Sequence, residues 1–243
     1  MMFTYKKTIV FFCLFLGVSI FVDAQVFKGE IIGGFNLTQV EGDQQVGYRK
    51  FGVHAGVGVM FPFELKEKHS LALSMEILLN QKGARKRNYY YNIADTNFNV
   101  DTRKFEYLLR LNYISIPVIF HYAEESSGLT FGVGFAYNRM FSVTELEYDV
   151  LQTYDTVSRL KPNDFTVLAD VRFRIWQQLK FGFRFEYSMF SLRTRYFPTT
   201  IYKHAETRRQ YNNSLSFYLV YMLNEKRVEK PKKRETIEKP YYY

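Results

Sequence analysis

Cysteine is all but missing from the 243 residues: Cys13 is the only one, beside a single tryptophan, six prolines and four histidines. Because Cys13 lies inside an apolar leader, the chain that follows has no thiol and forms no disulfide, so packing and backbone hydrogen bonds must hold it. Four scattered histidines without cysteine make no zinc-type ligand set, and neither a metal nor a cofactor is expected. So few prolines exclude collagen-like and Pro-rich disordered chains. Long apolar runs are lacking too. The longest, Thr8 to Val22, has 15 residues, fewer than the roughly 20 a membrane-spanning helix requires. A polytopic helical membrane protein is therefore excluded.

That run has the build of an export leader. Lys6 and Lys7 precede it and Val22-Asp23-Ala24 follow it, so residues 1–24 read as a signal peptide cleaved after Ala24. Phe11-Phe12-Cys13 lacks the small residues expected before a lipid-modified cysteine, and no lipoprotein is expected. Losing Lys6, Lys7 and Asp23 from 33 basic and 24 acidic residues leaves 31 and 23, a net charge of +8 on the mature chain. Export of a basic protein makes nucleic acid no partner for it.

Aromatic residues are what the chain has in abundance, 24 Phe and 20 Tyr. From Gln25 to Leu223 large apolar residues recur at every second position, the period of a strand with two unlike faces. Leu129, Phe131, Val133, Phe135 and Tyr137 alternate with Thr130, Gly132, Gly134, Ala136 and Asn138. The pattern returns at 52–61, 70–79, 165–175, 179–189 and 215–223, and more weakly at 27–38 and 105–121, which makes eight strands. The second face carries charge in mid-strand: Glu76, Asp170, Arg172, Arg174, Arg184 and Glu186. A soluble barrel turns its bulky apolar residues inward, where eight strands leave little room for them. The opposite arrangement, apolar outside and ionic inside, is that of a barrel in a membrane.

Connection lengths are an independent test, since membrane barrels join strands by long outer loops and short periplasmic turns. Long connections near 39–50, 81–106, 142–163 and 190–212 alternate with short ones near 62–69, 123–128 and 177–178. The expected fold is thus all-β: an eight-stranded antiparallel up-and-down transmembrane β-barrel over residues 25–223, in the cell outer membrane, monomeric. Residues 224–243 lack alternation and carry seven basic and four acidic residues, and are expected to form a flexible periplasmic tail.

The six mid-strand charges read as an internal ionic cluster that fills the barrel, because a charge buried there needs a partner. An open porin is not expected. No catalytic residue is assigned: His54 and His121 fall toward opposite ends of their strands, His69 and His204 lie in a turn and a loop, and none has a serine and an acid at triad spacing. Basic residues concentrate in the second and fourth outer loops. Arg85, Lys86, Arg87, Arg193, Arg195, Arg208 and Arg209 are the candidate contacts for lipopolysaccharide phosphates or for a protein partner. Tyr89, Tyr90 and Tyr91 offer amphipathic anchors for the latter.

Several stretches resemble the PorT-like outer-membrane β-barrel proteins: Gly34 to Asp43, Gly52 to Phe63, Ser70 to Ala84, Leu111 to Tyr122 and Phe181 to Leu192. Asn112 to Pro117 (NYISIP) and Gln81 to Gly83 (QKG) are the more specific pieces. The resemblance implies an eight-stranded outer-membrane barrel and, through the family's founding member, an association with type IX secretion and with cell-envelope proteins. One departure stands out. Such barrels commonly end at an aromatic residue of the last strand, whereas here 20 residues follow Leu223, so either the insertion signal is internal, at Leu215 to Leu223, or the tail has its own partner. Two rival classes remain, a lipid-modifying outer-membrane enzyme and a soluble exported ligand-binding barrel.

Overall fold

A computed structural model of the chain describes residues 27–43, 47–65, 69–87, 105–124, 126–147, 150–151, 160–197 and 206–225. The leader, most of the second outer loop with Tyr89 to Tyr91, and the tail beyond residue 225 lie outside them. The described residues form ten strands and no helix: β1 (Lys28–Glu41), β2 (Lys50–Leu65), β3 (His69–Arg87), β4 (Phe105–Glu124), β5 (Leu129–Glu147), β6 (Val150–Leu151), β7 (Asn163–Trp176), β8 (Leu179–Ser188), β9 (Arg193–Phe197) and β10 (Glu206–Leu223). Eight of them follow one another round a wall in the order β1-β2-β3-β4-β5-β7-β8-β10, and β1 closes it against β10. That closing ladder is antiparallel and runs from Gly29 opposite Leu223 to Glu41 opposite Tyr211. The remaining two are annexes on the outer side, β6 against the end of β5 and β9 against the start of β10. Closure leaves the wall without a free edge, as a span through hydrocarbon demands.

The alternation sorts the side chains by solvent. Outward residues of β5, from Leu129 to Tyr137, include Phe131, Val133 and Phe135, all exposed. This nine-residue stretch matches the roughly 9–11 residues a tilted strand needs to cross the bilayer. Val53, Val57 and Val59 of β2, Leu73, Met75, Ile77 and Leu79 of β3, and Val118 and Phe120 of β4 continue the same band. Arg172 and Arg184, on the inward face of β7 and β8, have no exposed surface at all. Phe183 does meet Phe217 at 5.2 Å between ring centroids, and Phe217 meets Phe35 at 5.6 Å, but these are neighbours side by side on the outer wall. The bulky apolar face therefore meets lipid.

Aromatic residues with a polar handle end the band. On the periplasmic side the Tyr122 hydroxyl pairs with His69 Nδ1 at 2.8 Å, and the Tyr221 hydroxyl donates to Gln178 Oε1 at 2.9 Å. Phe63 packs against Phe120, and Phe61 against Phe27, with the rings tilted. On the outer side the Tyr187 hydroxyl donates to Glu41 Oε2 at 2.9 Å.

The wall is taller than the alternation indicates. β3 runs on to Arg87, β5 to Glu147, and β10 begins at Glu206, so segments expected as loop are wall standing outside the membrane. Above the band the inner face turns apolar: Val40, Ala84, Tyr107, Leu109, Leu111, Tyr113, Leu160 and Leu192 form one buried cluster. A bulge in β5, where Asn112 faces Ser142 and Tyr113 faces Met140, leaves Phe141 unpaired and outward. The extra residue resets the parity, so Val143 and Glu145 still point inward.

Candidate functional site

Three carboxylates and two guanidiniums meet at the centre of the barrel. Arg172 of β7 donates to Glu30 of β1 at 2.7 Å, to Glu76 of β3 at 2.7 Å and to its own-strand neighbour Asp170 at 3.1 Å. Arg184 of β8 reaches both oxygens of Glu76, at 2.8 and 2.9 Å, and Asp170 at 2.7 Å. The Tyr218 hydroxyl of β10 also donates to Asp170, and the Tyr218 ring lies 5.1 Å from the Arg184 guanidinium. Gly182 makes room for that ring: a Cβ there would lie 2.3 Å from it. All five charged residues are buried. Such a cluster is tolerable only because every charge in it is paired, Glu30 through Arg172, since a lone ion in this setting costs several kcal/mol.

Toward the outer side lies a belt of amides and hydroxyls. Ser216 donates to Asn36 at 2.6 Å, Asn36 to Asn80 at 3.1 Å, Asn80 to Ser115 at 3.0 Å, Ser115 to Asn138 at 2.5 Å, and Asn138 to Thr166 at 3.2 Å. Six strands are tied in one line. His54 Nδ1 joins it at Asn80, 2.6 Å away. Lys82 Nζ donates to Glu186 Oε2 at 2.6 Å across the lumen. The other buried histidine, His121, has Nε2 2.7 Å from Ser74 Oγ. A serine–histidine pair thus exists that sequence spacing did not reveal. Both members are buried, and Asp170, the acid whose charge acts on His121, already accepts bonds from Arg172, Arg184 and Tyr218.

A second ionic cluster sits above the membrane, where β9 folds against β10. Arg193 donates to Glu145 at 2.6 and 2.8 Å, to Gln210 at 2.7 Å and to Tyr107 at 3.1 Å. Arg195 pairs with Glu147 at 3.0 Å. Burial alone would raise the Glu145 carboxyl, but the hydrogen bonds and charge of Arg193 outweigh it and hold the group below its ordinary value of 4.5. A lowered folded-state value stabilises at neutral pH and is lost as pH falls through it. Acidification to below the ordinary carboxyl value of 4.5 is therefore expected to open the β9–β10 ribbon, read as faster amide exchange at Thr194 and Arg195. Glu145→Gln should show fast exchange already at neutral pH; unchanged exchange in both tests would refute the coupling.

The residues singled out in the sequence do not all meet in one place. Glu76, Asp170, Arg172 and Arg184 come together at the centre. Arg174 does not join them; its guanidinium points to Glu225 at the periplasmic mouth, 3.7 Å away. Glu186 is taken by Lys82, a residue expected in the second outer loop that β3 instead carries into the lumen. Of the expected outer contacts, Arg193 is buried in the upper cluster and presents no surface to a ligand. Arg85, Lys86, Arg195 and Arg208 are half-buried and Arg209 is exposed. Arg87 ends β3, and its side chain lies outside the described residues.

Sequence comparison places this architecture in a family. The family model described as "Outer membrane protein beta-barrel domain" matches residues 24–193. The chain belongs to that outer-membrane β-barrel family. For this family member no curated protein matches in sequence. It is similar to the solved structure of Ail, the attachment invasion locus protein of Yersinia pestis, at 8% identity and a TM-score of 0.37, over 81% of this chain and 98% of that one. It is also similar to Neisserial surface protein A, at 10% identity and a TM-score of 0.35, over 80% and 96% of the two chains. The outer membrane protein AlkL is a third, at 11% and 0.31, over 84% and 93%. An outer-membrane location sets aside the soluble barrel.

Proposed function

We propose that this outer-membrane barrel is a monomeric, non-enzymatic structural or accessory protein of the cell envelope, and not an open porin. The observation that carries the reading is the filled lumen. Arg172 and Arg184 span the central cross-section without exposed surface, the buried apolar cluster around Leu109 and Leu111 fills the outer end, and Glu225 lies in the periplasmic one. Among the described residues the Ser74–His121 pair is the grouping nearest to that of a lipid-modifying enzyme, and both its members are buried, which favours the non-enzymatic reading. Association with a secretion system of type IX follows from the PorT-like resemblance. Lipopolysaccharide is the ligand best matched by Arg85, Lys86, Arg87, Arg195, Arg208 and Arg209 at the outer end of the wall, since phosphates pair with clustered guanidiniums.

The test is electrical. Purified full-length protein inserted into planar lipid bilayers is expected to give no discrete conductance steps, because ions have no water-filled path past the central arginines. Regular steps would reject the closed-barrel reading. Crosslinking in intact cells, comparing the full chain with one ending at residue 225, addresses the accessory role. Attached envelope proteins are expected, and none in either form would count against it.

A further inference from the structure

The two segments most specific in the sequence, Gln81 to Gly83 and Asn112 to Pro117, meet on the wall just above the lipid-facing band. Gln81 donates to Asn112 at 2.9 Å. These amides are the first polar groups on the outward face of β3 and β4 above Leu79 and Ile114. Arg110 stands one outward position higher on β4, opposite Gly83, and is exposed. Four residues past Ile114, about 13 Å along the strand, it has left the hydrocarbon for the headgroup layer.

Beside Gly83 lies Lys50, which opens β2 on the outer side. A Cβ at Gly83 would lie 3.3 Å from Lys50 Cδ, so the lysine stem passes that residue closely. Lys50 is 3% exposed, yet its ammonium has only the Phe51 carbonyl, at 3.4 Å, as an acceptor and no carboxylate among the described residues. Every other buried cation among them has a carboxylate oxygen within 3.2 Å: Lys82, Arg172, Lys180, Arg184 and Arg193. Arg110 adds to the imbalance. Burial, and after it the charge of Arg110, lower the Lys50 ammonium from 10.5 to about 8, which leaves it mostly protonated at neutral pH. Arg110 itself makes no ion pair among the described residues. A buried charge left alone costs several kcal/mol, and an anion supplied from outside the chain offsets that cost.

We propose that Arg110 and Lys50 form a phosphate site for lipopolysaccharide on the flank of the barrel, with Arg110 as the direct ligand and Lys50 adding charge across Gly83. The membrane decides the occupant. At this height the outward wall faces the headgroups of the outer leaflet, and a guanidinium takes a phosphate through two parallel bonds. The inference rests on the lipopolysaccharide reading above for its ligand. It does not rest on the arginines named there, which stand at the outer ends of β3, β9 and β10.

The experiment uses the full chain folded in detergent micelles, with heat-modifiable gel migration as the check on folding. Purified lipopolysaccharide, the same lipid stripped of phosphate, and sodium phosphate are titrated in separate arms, following the Gly83 amide resonance. The parent chain is expected to prefer the phosphorylated lipid and to show no saturable shift with sodium phosphate at the same concentrations. Arg110→Gln should weaken binding of the phosphorylated lipid about tenfold, through loss of one charge-assisted pair, and leave the stripped lipid unchanged. Lys50→Met is read by urea unfolding. Without lipopolysaccharide it should raise the midpoint, because an uncompensated buried charge is gone, and with lipopolysaccharide the gain over the parent should vanish. Equal binding by the parent and Arg110→Gln, or a Lys50→Met chain that unfolds more easily without lipid, overturns the proposal. An equal shift from sodium phosphate overturns the lipid as its ligand. Arg209→Gln separates the two readings: if it loses the phosphorylated lipid and Arg110→Gln does not, the outer-end site stands and this one falls. A parent chain indifferent to phosphate sinks both.

Discussion

Arg172→Met is expected to cost the barrel about 3–5 kcal/mol of stability, the range for removing one partner of a buried ion pair. Arg172 is the only residue of the central cluster bonded to all three carboxylates, Glu30, Asp170 and Glu76. With it gone, Arg184 alone faces them, and it makes no bond to Glu30. Glu30 then becomes a buried carboxylate without a cation. The measurement is urea unfolding from lipid vesicles, followed by fluorescence of Trp176, the chain's single tryptophan, which stands exposed at the periplasmic end of β7. A second substitution separates charge from packing. Glu30→Gln in the Arg172→Met background removes the stranded charge and should return part of the loss, whereas a methionine that merely packs badly would leave it unchanged. A loss below about 1 kcal/mol would mean that water, not protein, already solvates these carboxylates, and the filled-lumen reading would fall with it.

The same cluster shows what a single chain reveals and what it hides. Arg172, Arg184, Asp170 and Glu76 are legible because each interrupts a strand whose other face is Phe, Val, Ile or Leu, and only a two-faced wall in lipid writes that pattern. Glu30, which completes the cluster, sits in β1 among Gly29, Gly33 and Gly34, where too few large side chains mark either face. Lys82 and Arg193 fall in the long connections near 81–106 and 190–212 for a related reason. Outside the bilayer nothing apolar is needed on the outer face, while the inner face must still exclude water. The pattern accordingly inverts: Tyr107, Leu109 and Leu111 are buried and Arg110 is exposed. A rule that looks for outward apolar residues ends each strand at the membrane surface. Partners such as Glu145 and Arg193, 48 residues apart, meet only through strand order, and Ser74 meets His121 only because β3 lies beside β4.

The lipid-facing half of the argument has its own test. Val133 is 62% exposed and lies midway between Leu129 and Tyr137 on β5, hence at the middle of the hydrocarbon. Val133→Arg should destabilise the barrel by about 2–4 kcal/mol, while an arginine near the interface should cost only about 0–1 kcal/mol. Phe141, outward at the β5 bulge beyond the exposed Arg139, supplies the second site. It is about as exposed as Val133, at 59%, so exposure does not separate the two variants. Measured by the same unfolding from vesicles, a large gap between them requires that the wall at Val133 face acyl chains and the wall at Phe141 face headgroups or water. Equal small losses would place both positions in water, and β5 would no longer cross the membrane where its apolar run says it does.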